Sequence, residues 1–208
     1  RTKRNYLERV TAHDKAECAE VARKFGQEYW DGPRQYGYGG YRYDGRWARA
    51  AENIITRYGL TNESSVLDVG CGKGFLLHEL RLKLPRLKIA GVDISRYGIE
   101  NAKEEVRPFL KYGNAIKLEF ADKSFDLVIS IMTLHNLYIF DLFQSLREMQ
   151  RVSKGESFMA TESYRNEREK VNLLYWQLTC ESFHTPQEWQ WIFEQTGYTG
   201  DFEFVFFE

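Results

Sequence analysis

A chain of 208 residues that is 43% hydrophobic and 28% charged has the composition of a folded globular protein, which excludes an extended disordered or fibrous one. Its formal net charge of −1 supplies no long-range field for a polyanion, so a dedicated nucleic-acid binder is not expected. No apolar run approaches the roughly 20 residues needed to span a bilayer, and no signal peptide is visible.

The cysteines (Cys18, Cys71 and Cys180) are odd in number and form no C-x-x-C, so a reduced, cytoplasmic setting and no metal are expected. The chain starts at Arg1 without a methionine, and its natural N-terminus is expected to be missing. Residues 14–25 read as a short helix capped by Asp14 and stopped by Gly26. Tyr29 to Gly45 then interleaves tyrosines with glycines. Such a segment is either a loop packed on the core or a lid over residues 29–46 that closes on cofactor and substrate and excludes water. The glycine density favours the lid.

Arg46 to Tyr58 is helical, with Trp47, Ala50, Ala51, Ile54 and Ile55 as its apolar stripe and Gly59 as its stop. Ser65 to Val69 reads as a buried strand, and a helix follows from Phe75 to about Leu84, ended by Pro85. Arg81, Lys83, Arg86 and Lys88 read as a solvated helix end and loop. The second strand runs to Asp93, and Ser95 caps a helix with Ile99, Ala102, Val106 and Phe109 facing inward. Ala115 to Glu119 reads as a third strand and Phe125 to Ile131 as a fourth, central one. Leu142 to Val152 is helical, and Glu156 to Thr161 is a fifth strand. Residues 163–184 give mixed signals. Thr185-Pro186-Gln187-Glu188 is a capping box that opens a helix ending near Gly197, and Asp201 to Phe207 is the last strand. Strand–helix alternation with short connections implies an α/β fold, a doubly wound, mostly parallel sheet with helices on both faces.

The chemistry concentrates in Asp68-Val69-Gly70-Cys71-Gly72-Lys73-Gly74, between a strand end and a helix start. A dinucleotide fingerprint, G-x-G-x-x-G, would need a third glycine at position 75, which is Phe. D-x-G-x-G-x-G instead resembles the class I S-adenosylmethionine-dependent methyltransferases. A second strand ending in an acid, Ile89 to Ser95 with Asp93, strengthens the match. The resemblance covers residues from about 46 to the end and implies a Rossmann-like sheet of seven-stranded type. That fold usually closes with an antiparallel hairpin, whereas only one strand follows the last helix here. Either the chain is truncated at Glu208 or its last strand is atypical. A single domain is expected over 1–208, with an N-terminal helix and lid in 1–45, a cofactor-binding core in 46–162 and an acceptor-side segment in 163–208.

The resemblance implies S-adenosyl-L-methionine as cofactor and S-adenosyl-L-homocysteine as product. Gly70 and Gly72 are expected near the methionyl part, Asp68 near its amino group, Asp93 on the ribose and Ile94 against the adenine. Gly113-Asn114-Ala115 stands where many members have Gly-Asp-Ala, and Asn114 can accept from the adenine amino group through its carbonyl. Ala115 and Ile131 complete the expected cofactor contacts. Thr133-Leu134-His135-Asn136 resembles the small-molecule branch, which makes His135 the candidate base. A structural or cofactor-lining histidine is the alternative. Tyr41, Tyr43, Glu162 and Tyr164 are the candidate acceptor contacts, with Arg165, Arg168, Tyr175 and Trp176 nearby in sequence. The expected acceptor is a polar small molecule such as a sugar or amino acid, methylated on oxygen or nitrogen, with no nucleic-acid or membrane partner. A protein or RNA methyltransferase, or a binding module that has lost transfer, stays open, as does the oligomeric state.

Overall fold

The computed structural model describes residues 4–208. Its strands are β1 (Ser65–Val69), β2 (Lys88–Asp93), β3 (Leu110–Tyr112), β4 (Phe125–Ile131), β5 (Ser153–Glu162) and β6 (Asp201–Val205). They form one sheet in the order β3-β2-β1-β4-β5-β6, every pair parallel. The helices are α1 (Tyr6–Thr11), α2 (Lys15–Ala22), α3 (Gln27–Trp30), α4 (Ala48–Tyr58), α5 (Phe75–Lys83), α6 (Arg96–Glu100), α7 (Ile139–Val152), α8 (Glu167–Trp176) and α9 (Pro186–Thr196).

β1 is buried along its whole length because helices cover both faces of the sheet. Its side chains divide by the two-residue strand period. Val66 joins Leu127 and Ile129 of β4 under α4 and α5, with Ala51, Ile54, Leu76, Leu77 and Leu80. Leu67 and Val69 join Val128 under α7 and α9, with Leu142, Leu146, Met149, Trp189 and Ile192. Each such apolar side chain contributes about 1.5–3 kcal/mol through burial, so the two clusters fix which face each helix takes. The helix ends follow local chemistry. Gly59 closes α4 at φ 57°, its N–H donating to the Ile55 carbonyl. Thr185 and Glu188 exchange hydrogen bonds in the capping box of α9, which has Pro186 at its first position.

Several expectations are corrected. The seven-stranded type is six strands among the described residues, and the last strand is parallel to β5 and pairs with it directly, Phe158 to Asp201 through Glu162 to Val205. The third strand is Leu110–Tyr112 rather than 115–119. The alternation Ile116-Lys117-Leu118-Glu119 mimics a strand, but Asn114 Oδ1 accepts from the Ile116 N–H and turns the chain, and Leu118 is pinned under α7 by its N–H bond to Glu148. α6 stops at Glu100, so Ile99, Ala102 and Val106 reach the core from a helix and the turns after it. Phe109 is instead exposed, with the Arg81 guanidinium over its ring. β5 starts at Ser153, three residues earlier than expected. The mixed stretch after it holds α8, capped by Asn166.

Candidate functional site

The strand order reverses between β1 and β4, and the carboxyl ends of the strands open there into a cavity of about 360 Å³. The glycine turn forms its floor. Gly70 has φ 85°, and a Cβ on it would sit 2.1 Å from Thr133 Oγ1. Gly72 has φ 53°, and its Cβ would come within 2.7 Å of the Trp30 ring. Side chains are therefore excluded at both positions by backbone conformation and by neighbours. The Gly70 N–H donates to the Val92 carbonyl at 2.7 Å, which ties the turn to the end of β2.

Asp93 ends β2 and is 9% exposed. One carboxylate oxygen accepts from the Gly72 N–H at 2.7 Å and the other from the Ser95 N–H at 2.7 Å. Burial raises its pKa, and those two backbone donors oppose the shift. Asp68 also lines the cavity, 5% exposed, with no hydrogen-bond partner for its carboxyl among the described residues. Burial, reinforced by the charge of Asp93, pushes its pKa up to about 7.

The Tyr/Gly segment roofs this floor. Trp30 and Tyr38 stack with ring centres 5.3 Å apart, Tyr41 stacks on Phe75 at 5.1 Å, and Trp30 Nε1 donates to Ser95 Oγ at 2.8 Å. Asp31 latches the roof to the glycine turn. Its carboxylate accepts from Lys73 Nζ at 2.6 and 2.8 Å, from the Tyr97 hydroxyl at 2.9 Å and from the Tyr41 N–H at 3.0 Å. Burial alone would raise the Asp31 pKa, but the Lys73 and Tyr97 hydrogen bonds, the Lys73 charge and the Tyr41 N–H together hold it below the ordinary carboxylate value.

All eight residues expected at the cofactor (Asp68, Gly70, Gly72, Asp93, Ile94, Asn114, Ala115 and Ile131) line this cavity, as does Tyr41. Ile94 is half exposed and gives a flat apolar surface there. Residues outside that expectation also line it, among them Trp30, Tyr38, Phe75, Met132, Thr133 and Asn136. The signal for Met132 to Asn136 was their place after β4. Lys73 was missed, although a lysine set between two glycines of a buried turn calls for a buried counter-charge.

His135 is elsewhere. It lies in the turn after β4 and lines a second cavity of about 260 Å³, which Glu162 at the end of β5 also lines. The two cavities share Tyr29, Tyr38 and Met132 as a common wall. Tyr38 is 41% exposed and lines both cavities. Met132 holds φ 54°, a costly conformation for a non-glycine residue, and its N–H donates to the Ala160 carbonyl at 2.8 Å.

His135 is 3% and Glu162 1% exposed, with His135 Nε2 3.7 Å from Glu162 Oε2. Burial pushes the imidazole down to about 4 and the carboxyl up to about 8, so at neutral pH the contact is between two uncharged groups. Gln177 Nε2 donates to Glu162 Oε1, while Glu162 Oε2 and His135 Nδ1 have no hydrogen-bond partner among the described residues. Two expected acceptor contacts lie outside both cavities. The Tyr43 hydroxyl donates to Glu79 on α5 at 2.8 Å, and Tyr164 faces the Lys170 ammonium on α8.

Among the described residues there is no His, Cys, Asp or Glu group able to hold a metal ion, the three cysteines are free and buried, and no helix is long and apolar enough to cross a membrane. Residues 60–197 match the model of a methyltransferase domain family. A demethylmenaquinone methyltransferase of Roseiflexus sp. is 37% identical over 92 residues, covering 42% of this chain and 37% of that protein. A malonyl-[acyl-carrier protein] O-methyltransferase of Legionella pneumophila is 34% identical over 91 residues, covering 42% of this chain and 31% of that protein. The chain thus spans about a third of the length of these relatives. The YcgJ protein of Bacillus subtilis, 22% identical, superposes with a TM-score of 0.57 over 71% of this chain and 67% of its own, a likeness of fold.

Proposed function

The chain belongs to the methyltransferase domain family, and from that premise we propose that it moves a methyl group from S-adenosyl-L-methionine to an oxygen or nitrogen of a polar small molecule. The observation that carries this reading is the pair of acids at the first cavity. Asp93, held by two backbone N–H groups, keeps lone pairs for the two ribose hydroxyls, and Asp68 presents an unpartnered carboxyl to a cationic group. The donor set fits the cofactor, with Ile94 and Ala115 for the adenine and the glycine turn for the methionyl part. When bound, the cofactor supplies an activated methyl on a sulfonium, together with its own leaving group.

The chain's own work is alignment and exclusion of water. The roof of Trp30, Tyr38 and Tyr41 covers the cavity, and the Asp31–Lys73 latch holds it down. An acceptor in the second cavity would meet the cofactor at the wall of Tyr29, Tyr38 and Met132. Its nucleophilic atom gives up a proton, and Glu162 is better matched to receive it than His135, since a pKa near 8 lies closer to the working pH than one near 4. His135 is then the neighbour that positions the carboxyl. Two of the relatives are a demethylmenaquinone methyltransferase and a malonyl-[acyl-carrier protein] O-methyltransferase, which supports a metabolite as acceptor here.

The test is titration calorimetry with S-adenosyl-L-methionine and S-adenosyl-L-homocysteine. Binding of both is expected, and Asp93→Ala should weaken it by about 2–3 kcal/mol, the scale of a hydrogen bond to a charged group. An unchanged affinity, or preference for a nicotinamide dinucleotide, would overturn the reading.

A further inference from the structure

The second cavity carries charge of the opposite sign to the first. Arg4, Arg9 and Arg34 line it together with Trp176, and their guanidinium carbons lie 5.3, 5.6 and 5.2 Å from the Trp176 ring centre. Arg23, Arg46, Arg57, Arg86, Arg151 and Arg165 each pair with a carboxylate. These three pair with none among the described residues. Arg9 donates to the Trp176 carbonyl at 3.4 Å and to the Arg34 carbonyl at 2.7 Å, Arg34 donates to the Gly37 carbonyl, and Arg4 Nε has no hydrogen-bond partner among the described residues.

Clustered guanidinium groups without a counter-ion repel one another. Burial lowers the pKa of Arg9 and the Arg34 charge lowers it further; burial also lowers that of Arg34, with Arg4 adding to the effect. The carboxyl that shares the cavity makes no ion pair with them: burial pushes the Glu162 pKa up to about 8, against the opposing pull of the Gln177 hydrogen bond and the Arg4 charge. Instead, Glu162 Oε2 and His135 Nδ1, on two nearly fully buried side chains that line the cavity, are left without hydrogen-bond partners. A bound anion would supply the counter-charge that the three arginines lack, and the unpartnered polar atoms of Glu162 and His135 remain open to the rest of the same ligand. Three planar, permanently charged forks beside an indole recognise an oxyanion in the way that arginines recognise carboxylate and phosphate elsewhere.

We propose that the second cavity is an oxyanion-binding acceptor site, in which Arg4, Arg9 and Arg34 hold a carboxylate or phosphate of the molecule to be methylated and Trp176 packs against its body. The proposal rests on the methyl-transfer reading and narrows its acceptor to an anion. With the anionic end so held, the atom to be methylated lies toward Tyr38 and Met132, the side that borders the first cavity.

The experiment uses the whole chain saturated with S-adenosyl-L-homocysteine, titrated at constant ionic strength with malonate and, separately, with inorganic phosphate. Calorimetry and the Trp176 indole N–H resonance, assigned with Trp176→Phe, are the readouts. Saturable binding of at least one anion is expected, with a shift of that resonance. Arg9→Gln and Arg34→Gln should each weaken it tenfold or more and leave S-adenosyl-L-homocysteine affinity within twofold. Arg34→Lys, which keeps the charge but loses the planar fork, should retain part of the binding and serves as the test if either glutamine variant fails to fold. Malonate binding alone would identify a carboxylate site, and phosphate binding alone a phosphate site. No saturable binding, or binding indifferent to the arginine variants, overturns the proposal. Anion binding in a protein that fails to bind S-adenosyl-L-homocysteine would sink the methyl-transfer reading and leave the anion site standing.

Discussion

The two cavities meet at Tyr29, Tyr38 and Met132, yet they are made in different ways. The first is set largely by backbone, with three strand ends, a turn of positive-φ glycines and acids held by N–H groups or left facing the open space. Its two buried acids, Asp68 and Asp93, suit a cationic ligand, since Arg46 in the same lining is paired with Asp44. The second is set by side chains brought from both ends of the chain, Arg4 and Arg9 at one and Val205 and Phe207 at the other. Its ionisable groups are arginines without carboxylates, beside a neutral carboxyl and a neutral imidazole. The difference teaches that one sheet edge can present cavities of opposite charge side by side, with a wall of aromatic and thioether side chains between them.

The largest effect that would break this comparison is on proton transfer. With Glu162 raised to about 8, its basic form grows as pH rises, so turnover on an acceptor should climb through that range and then level off. Glu162→Gln should remove the climb and lower turnover roughly 10²- to 10⁴-fold, while His135→Ala should cost far less. The same raised pKa stabilises the fold below the unfolded carboxyl value, and that contribution is lost as pH rises through about 8. The free protein should therefore melt lower at pH 9 than at pH 6, and Glu162→Gln should flatten the difference. A Glu162→Gln enzyme with normal turnover and an unaltered pH profile, or a larger loss in His135→Ala, would return the role to His135.

A smaller effect sharpens the charge of the first cavity. Asp68 titrates near 7 in the free protein, and a cationic ligand favours its ionised form. Affinity for S-adenosyl-L-methionine should rise between pH 5.5 and 7.5, measured by calorimetry. Asp68→Asn should be flat across that range and weaker by about 1.5–3 kcal/mol at its upper end. A flat wild-type curve would mean that no cationic group lies beside Asp68.

The smallest effect concerns the roof. Lys73→Met removes the counter-charge of Asp31 from a nearly buried position, the Lys73 side chain being 5% exposed. Amide hydrogens of residues 29–46 should then exchange about tenfold faster, an opening cost lowered by about 1.4 kcal/mol. The Asp31 pKa is depressed, so the latch contributes above the ordinary carboxylate value and is lost only as pH falls through the lower one. Exchange protection in Lys73→Met equal to wild type would show that the stacked rings alone hold the roof.

The glycine turn, the acid after β2 and the sheet that presents them were legible because each is local. A strand, a turn and a helix start lie within the residues that specify them, and their periodicity and glycine placement are written side by side. The third strand was misplaced because Asn114 turns the chain inside a run with strand alternation. Tyr43 lies apart from the first cavity, which its neighbours Tyr38 and Tyr41 face, because its own hydroxyl reaches Glu79. The arginine cluster left no local trace at all. Arg4, Arg9, Arg34 and Trp176 are unremarkable in their own segments, and they come together only when α1 packs beside α8, with the Tyr6 ring edge-on to Trp176 at 6.1 Å.

The shared wall has a thermodynamic consequence. Tyr29, Tyr38 and Met132 contribute surface to both cavities, so an occupant of one that changes their packing changes the free energy of filling the other. Such coupling is reciprocal: whatever factor the occupant of the second cavity adds to affinity at the first, the first returns to the second. Tyr38 packs against Trp30, Tyr41 and Tyr29 and lines both cavities, so its displacement by one ligand would be felt in the other. The order in which two ligands arrive then alters the path and leaves the total unchanged, and a single titration, run with and without the other ligand, measures the coupling for both.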